Sequence, residues 1–209
     1  MLAKEEPMGS NDFIFRAATP ADAYALAELA ILGGDGMYEF LLEGMAPKEM
    51  LAGLMARSIR QNEGVYSWRN CYVAVDHGTL IGMIHALPAA LLREEKLDSL
   101  PPERIQVLEP IDQAQDWESF VVNSVAVRGP FRRQNVGSQL LGWAAGQARA
   151  AGFPRVTANV WQDNLAARSL FQKLGFQMSR HVDVPQSAGL SHGGGSLVMT
   201  LVTESADTT

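Results

Sequence analysis

The stretch SVAVRGPFRRQNVGSQLL, residues 124–141, is where the fold of this chain is decided. Valines up to Val127 suit a strand, a turn rich in arginine and amide side chains follows through Asn135, and from Val136 the apolar residues take helical spacing. A strand turning tightly into a helix leaves the first N–H groups of that helix without partners inside it. They point outward together, and the positive end of the helix favours an anion there by about 0.3–1 kcal/mol when exposed and up to ~2 when partly buried. Arg132 and Arg133 can add forked positive charge, Ser138 a hydroxyl donor, and Gly137 room for the backbone to approach a phosphate oxygen. These residues fit a diphosphate cradle; an ordinary strand-turn-helix with surface arginines fits them as well, and the remainder of the chain has to separate the two.

Working outward, the charge is unevenly spread. The 209 residues carry a net charge of −6, yet the segment from Arg128 to Arg180 holds eight basic residues against Asp163 alone, which gives +7 there and −13 elsewhere. Such polarity marks an anionic ligand bound at one place on an acidic body, or else a solvated helix face. With 47% hydrophobic and 19% charged residues the chain reads as one soluble globular domain over 12–203, with loose tails at 1–11 and 204–209. No apolar run approaches the roughly 18 residues of a membrane span, and the opening MLAKEEPMGSND lacks the apolar core of a signal peptide, so a cytoplasmic location is expected. The single cysteine, Cys71, rules out an internal disulfide and a cysteine-rich zinc site, and no metal is expected. At strand spacing it reads as a small buried hydrophobe.

Along the chain, FIFRAAT has strand composition and TPADAYALAELAIL the signals of a helix start, with Thr19 as cap and Pro20 at the first helical position. GGDG is expected to break that helix, and PKEMLAGLMARSIRQN to form a second one. NCYVAVDHGTLIGMIHAL reads as a hairpin turning at DHGT. Residues 88–116 lose the pattern and are expected to form an insertion or lid with a short helix. WESFVVNSVAV, RVTANVW, FQMSRHVDV and SLVMTLV read as strands and NLAARSLFQKLG as a helix closed by Gly175. The order β-α-α-β-β-β-α-β-α-β-β implies an α/β chain with a mixed sheet covered by helices on both faces.

Two familiar phosphate loops are excluded. A Walker loop needs lysine and then Ser or Thr after its last glycine, where Gly137 is followed by Ser138 and Gln139; a dinucleotide fingerprint needs three spaced glycines. What remains resembles the acyl-CoA signature of the GNAT superfamily of N-acetyltransferases. In that signature an apolar-Ala-Val strand end, a proline and an aromatic lead into Arg/Gln-x-x-Gly-x-Gly/Ala, matched here on Arg132, Arg133, Gln134, Asn135, Val136 and Gly137. Asn135 stands where the family has its first glycine, and asparagine is among the few side chains that tolerate a left-handed backbone. Downstream, NLAARSLFQKLGF is similar to the family's Asn-x-x-Ala-x-x-Leu-Tyr-x-Lys-x-Gly-Phe element on Asn164, Ala167, Leu170, Phe171, Lys173, Gly175 and Phe176. Core packing explains the apolar character of Ala167, Leu170, Phe171 and Leu174, but not the spacing shared with the family.

The resemblance covers residues 118 to 178 specifically. It implies a mostly antiparallel sheet splayed between its fourth and fifth strands, with acetyl-CoA in the gap. The pantetheine arm would pair with the backbone around Val125, Ala126 and Val127, and the diphosphate would lie on 132–138, with Asn164 and Phe171 beside the cofactor. An amine acceptor must be neutral to attack, and a lysine-like amine has a pKa of about 10.4. The two positions where family members often carry a Glu or His base read Asn123 and Val121 here. Asn123 can orient the amine or a water but cannot accept a proton, and Glu118, His181 and His192 remain as candidates for a proton path. Phe171 replaces the family's usual tyrosine acid. The resemblance therefore implies direct acetyl transfer to a small amine, an amino acid derivative or a peptide N-terminus, with Asn123 and Glu118 on the catalytic side.

The acceptor is expected against GGDGMYEFLLEG, the 88–116 stretch and the last hairpin loop, whose Glu39, Glu43, Glu94, Glu95, Asp112 and Asp116 suit a cationic amine. The alternative is a sensor or scaffold of the same fold that binds acyl-CoA but turns over weakly. Nucleic acid is an unsuitable partner, because the basic residues lack interleaved aromatics and the rest of the chain repels phosphate. No membrane partner is expected, and a homodimer is left open.

Overall fold

In the computed structural model, which describes residues 12–45, 47–94 and 100–203, seven strands share one sheet. They are β1 (Ile14–Ala17), β2 (Cys71–Asp76), β3 (Thr79–Pro88), β4 (Phe120–Val127), β5 (Arg155–Trp161), β6 (Gln177–Val182) and β7 (Ser196–Val202), in the spatial order β1-β2-β3-β4-β5-β7-β6. Neighbours are antiparallel except β4 and β5, which run parallel. The mixed sheet expected from the order of elements, mostly antiparallel as the resemblance implies, is thus the one that forms. The tails expected at 1–11 and 204–209 lie outside the described residues.

Six α-helices accompany it: α1 (Ala23–Gly34), α2 (Met37–Leu42), α3 (Leu51–Ile59), α4 (Pro102–Gln113), α5 (Val136–Ala150) and α6 (Leu165–Lys173). Alternating strand residues feed two cores. Val73, Val75, Met83 and Ala126 meet Leu26, Leu29 and Ile59 of α1 and α3 on one face. Ile81, Ile84, Val122 and Ala158 meet Leu140, Leu141 and Phe171 of α5 and α6 on the other. Cys71 belongs to the first core at 4% exposure, and burial pushes its thiol up to about 12, so it packs as an inert hydrophobe.

The ladder between β4 and β5 is short. It joins Phe120 to Val156, Val121 to Thr157 and Val122 to Ala158, and beyond these pairs the strands diverge. On the opposite edge of β4 the pairing with β3 slips: His85 lies opposite Ser124 and Ala86 opposite Val122, so Asn123 has no residue opposite it. This is a β-bulge, which twists the strand and re-aims a side chain.

Two segments depart from expectation. GGDG breaks the first helix as expected, but in its second half: α1 runs through Gly34 and stops where Asp35 (φ 49°) and Gly36 (φ 91°) turn left-handed. The following residues, expected as a loop, form α2. The 88–116 stretch is more helical than expected, with a 3-10 turn at Ala89–Glu94 and the 12-residue α4. Its two adjacent prolines look like breakers in sequence, but Pro102 occupies the first position of the helix, where no N–H is needed. Arg104 of α4 donates to the Leu41 carbonyl at 2.7 Å and lies over the Phe40 ring, which pins α4 to α2.

The start of α1 is tied to the sheet edge by one carboxylate. Asp22 accepts from the Thr19 N–H (2.7 Å), the Thr19 hydroxyl (2.8 Å) and the Arg16 fork (2.8 and 2.9 Å). The Arg16 bond, against the opposing effect of burial, holds this carboxyl below its ordinary value. A lowered folded-state pKa contributes stability that is complete above the unfolded value near 3.8 and is lost as pH falls through the folded one. Replacing Asp22→Asn should therefore cost about 1–2 kcal/mol in urea unfolding at pH 7. The gap to the wild type should close below pH ~3.8.

Candidate functional site

The parting of β4 from β5 opens a cleft of about 1850 Å³. This exceeds the roughly 300–1000 Å³ of a site for one small molecule and leaves room for two reactants. Its floor is the free edge of β4. Arg128 N–H bonds the Ile81 carbonyl of β3 at 2.8 Å, so by the alternation of an antiparallel ladder Val127 and Val125 turn their N–H and C=O groups the other way, into the gap that β5 has left. Val125, Ala126 and Val127 all line the cleft, as do Ala158 to Trp161 of β5.

One end of the cleft is built for an anion. Asn135 takes the left-handed conformation (φ 65°) that its replacement of glycine demands, and Arg133 does so too (φ 66°), which was not foreseen. Asn135 stands at the cap position of α5 but makes no capping bond with its side chain, so the first-turn amides of Val136, Gly137 and Ser138 are not filled by it. Arg132, Arg133, Asn135 and these three residues line the cleft. Gln134 does not, its amide being bonded to the Pro130 carbonyl at 3.0 Å. Arg132 spends Nε on the Val127 carbonyl (3.0 Å). An uncapped helix start with two flanking guanidinium groups suits the diphosphate of coenzyme A. Gly137 also meets a packing demand: a Cβ there would stand 3.1 Å from Leu170 on α6.

The basic excess read from the sequence is only partly spent here. Arg155 pairs with Asp116 at 2.6 Å, Arg128 with Glu28 at 2.8 Å, and Arg168 bonds the Gln162 carbonyl. Lys173 joins Arg132 and Arg133 on the cleft wall. Asn164 caps α6 through the Ala167 N–H (2.9 Å) and reaches Asp35 with its amide nitrogen (2.8 Å). Phe171 is 3% exposed and stands edge-on to Phe176, so it serves the core while touching the cleft.

At the bulge, half-buried Asn123 lines the cleft with its amide nitrogen 3.1 Å from Nδ1 of His85 and 3.5 Å from the Tyr38 hydroxyl. His85 is buried, and its Nε2 meets the Val65 carbonyl at 2.8 Å. Burial pushes this imidazole down to about 4, against the opposing pull of the Val65 carbonyl, so it is neutral at pH 7.

Glu118 is not brought to this point. It precedes β4 at the end where β4 and β5 are still paired, its side chain is 88% exposed, and it stands beside Arg155. His181 faces Gln162 and the Gly194 carbonyl, away from the cleft. His192 does reach the mouth, stacked on Trp161, with Nδ1 at 2.8 Å from Asp163 and Nε2 at 2.7 Å from the Asp35 carbonyl. Both its nitrogens are occupied by oxygen acceptors, which makes it a clasp between three loops. Asp163, bonded first by the Gly193 N–H and then by His192, is held below the ordinary carboxylate range.

Sequence reasoning gave no role to His85 or Ser124 and reached Gly33 and Tyr38 only as members of the GGDGMYEFLLEG stretch; all four line the cleft. A signal was present for His85, a lone imidazole in the ten-residue strand TLIGMIHALP whose neighbours are apolar. Three expected acceptor segments do border the cavity: Met37, Tyr38 and Leu41 of α2, Ile111 and Asp112 of α4, and Ser191 and His192 of the last loop. Of the acids expected to draw a cation, Asp116 is committed to Arg155, and Glu95 lies outside the described residues. Among the described residues no group of three or more ligating side chains could hold a metal ion, and no helix is long and apolar enough to cross a membrane.

The sequence model of the Acetyltransferase (GNAT) family matches residues 47–176. An N-acetyltransferase from Staphylococcus aureus is similar in structure, with a TM-score of 0.70 at 20% identity over 90% of this chain and 100% of that one. The polyamine N-acetyltransferase of Drosophila melanogaster, which catalyses the formation of N-acetylagmatine, gives 0.63 at 14% identity over 91% and 100%. An N-acetyltransferase from Thermoplasma acidophilum, solved in complex with coenzyme A, gives 0.54 at 16% over 91% and 99%. At these identities the likeness is one of fold. No curated protein matches the sequence.

One wall of the cleft is tight where α1 crosses β4. A Cβ on Gly33 would come within 2.4 Å of the Ser124 hydroxyl and 3.1 Å of the Val125 carbonyl. Ser124 Oγ is itself buried with no partner among the described residues. Gly33→Ala should gain about 1 kcal/mol of helix propensity and lose about 1–3 to overpacking, a net loss in thermal unfolding. Ser124→Ala added to it should recover most of that loss, because it removes the atom met first.

Proposed function

Because the chain belongs to the GNAT family of acetyl-CoA-dependent N-acetyltransferases, we propose that it acetylates the primary amine of a small molecule, an amino acid derivative or a peptide N-terminus by direct transfer. The observation that carries this is the juxtaposition, in one cleft, of the uncapped start of α5, the free backbone edge at Val125 and Val127, and Asn123 on the bulge. When bound, acetyl-CoA supplies an acyl carbon already activated as a thioester, with a thiolate leaving group that departs readily because a thiol pKa lies near ~8.5.

The protein's own part is positioning. Val136, Gly137 and Ser138 offer backbone N–H groups to the diphosphate, Arg132 and Arg133 add charge, and the N–H and C=O of Val125 with the N–H of Val127 would pair with the pantetheine arm where β5 has diverged, the Val127 carbonyl being bonded to Arg132. The Val125 N–H faces the gap and is placed to donate to a thioester carbonyl, which it would polarise. Asn123 holds the incoming amine by accepting one of its N–H bonds, which aims the nitrogen lone pair without removing a proton. With Glu118 remote, His85 neutral and enclosed, and His192 fully bonded, the proton leaves through water at the open mouth and the Tyr38 hydroxyl beside Asn123. Asp35, Asp112 and Asp163 at the mouth, with Trp161 among the aromatics, favour a cationic acceptor. The leucines and methionines of α2 and α3 favour one with an apolar body.

Millimolar acetyl-CoA should raise the melting temperature by several degrees. An amine panel that includes agmatine, spermidine and short peptides, assayed for thiol release, should show turnover on at least one member. Arg132→Glu should weaken acetyl-CoA binding by about tenfold or more, the cost of removing one charge-assisted contact and adding a like charge. Absence of stabilisation by acetyl-CoA, or no turnover on any amine, would overturn the proposal.

A further inference from the structure

Resting on the role given to Asn123 above, we infer that His85 is a positioning residue which fixes the Asn123 amide with its oxygen toward the cleft, as the acceptor for an amine N–H. The inference follows from a chain of donors and acceptors that has only one consistent solution. The Val65 carbonyl, 2.8 Å from His85 Nε2, can only accept, so Nε2 carries the hydrogen. The ring is 4% exposed and held neutral by burial, with a pKa near about 4, so the second nitrogen, Nδ1, has a lone pair and no hydrogen. The Asn123 group 3.1 Å from Nδ1 must then be the NH₂, since an amide oxygen there would set two lone pairs against each other. The same NH₂ stands 3.5 Å from the Tyr38 hydroxyl. Both neighbours lie on the nitrogen side, and Oδ1 is left for the cleft that Asn123 lines.

The fold supplies this arrangement from three separate elements. His85 is on β3, opposite Ser124, and the bulge frees Asn123 from strand pairing so that it can swing toward the ring. Val65 lies in the segment before β2, and the ring of Tyr66 packs 5.8 Å from the His85 ring at 31°, which restricts its rotation. A reversed amide would present hydrogens to the attacking amine instead of an acceptor, so the orientation matters to the reaction and not merely to packing.

The test uses the whole chain. Long-range proton–nitrogen spectra at pH 7 should show His85 as the neutral Nε2–H tautomer, and Asn123→Ala should shift the Nδ1 resonance. An Nδ1–H tautomer, or an Nδ1 signal indifferent to Asn123→Ala, overturns the inference without any reference to activity. In kinetics with an amine that the wild type acetylates, His85→Leu should raise the amine KM by about tenfold and leave the acetyl-CoA KM within about twofold. His85→Asn, which restores an acceptor near the place of Nδ1, should recover part of the loss. A His85→Leu enzyme with unchanged amine KM, while Asn123→Ala is impaired, sinks the role of His85 alone. Unchanged kinetics in Asn123→Ala sinks the role of Asn123 itself.

Discussion

Everything in the site depends on the free edge of β4. Backbone N–H and C=O groups seldom stay unpaired inside a protein, because leaving them so costs about as much as a lost hydrogen bond. Here β4 and β5 pair at three positions and then separate, and the groups of Val125 and Val127 that would complete the ladder face a cleft instead, where only the Val127 carbonyl, among the contacts described, has found a donor in Arg132 Nε. A sheet with such a gap is stable only if something holds the strands on either side while leaving the gap open. Two helices do this. α1 crosses β4 so closely at Gly33 that a methyl group would collide, and α5 meets α6 at Gly137 with Leu170 in the space a side chain would fill.

The cleft therefore has two chemically different ends on one rigid frame. At the start of α5 the orphan amides and arginines favour negative charge; at the mouth, Asp35 and Asp163 favour positive charge. Between them lies the bulge, where the chain presents an amide where a general base is commonly found. Asparagine cannot take a proton, and the structure does not bring Glu118 or His181 to replace it. The chemistry proposed for this enzyme is accordingly alignment, carbonyl polarisation and water-borne proton transfer, and each of these depends on geometry held to a fraction of an ångström.

The mouth is closed on itself by a small polar network. His192 links the Asp35 carbonyl to Asp163, Asp163 also accepts from the Gly193 N–H, and Asn164 ties Asp35 to the cap of α6. Three loops from distant parts of the chain are thereby fixed around Trp161, on which His192 stacks. On the other side of the mouth, Arg104 fastens α4 to α2. The acceptor segments are thus fastened to one another by polar contacts, while Tyr38 packs α2 against the core on the α1 face.

Local features were legible in the sequence: the strand-turn-helix at 124–141, the left-handed tolerance of Asn135, the DHGT hairpin and the mixed sheet all follow from backbone preferences and spacing within a few residues of one another. So were most of the residues of the anion end, because one short loop contains them. The last turn of α1, through Gly33 and Gly34, was not legible, since the small size of Gly33 answers to what it meets on β4 and not to its own helix. Nor was the triad of Tyr38, His85 and Asn123. Its members lie 38 and 85 residues from Asn123 and meet only because a bulge shifts the register between β3 and β4. Periodicity in one segment carries no information about register against another, so the sequence by itself settled the family of the fold and the strand-turn-helix that begins α5. The packing of β3, β4 and α2 decided which side chains stand together at the bulge.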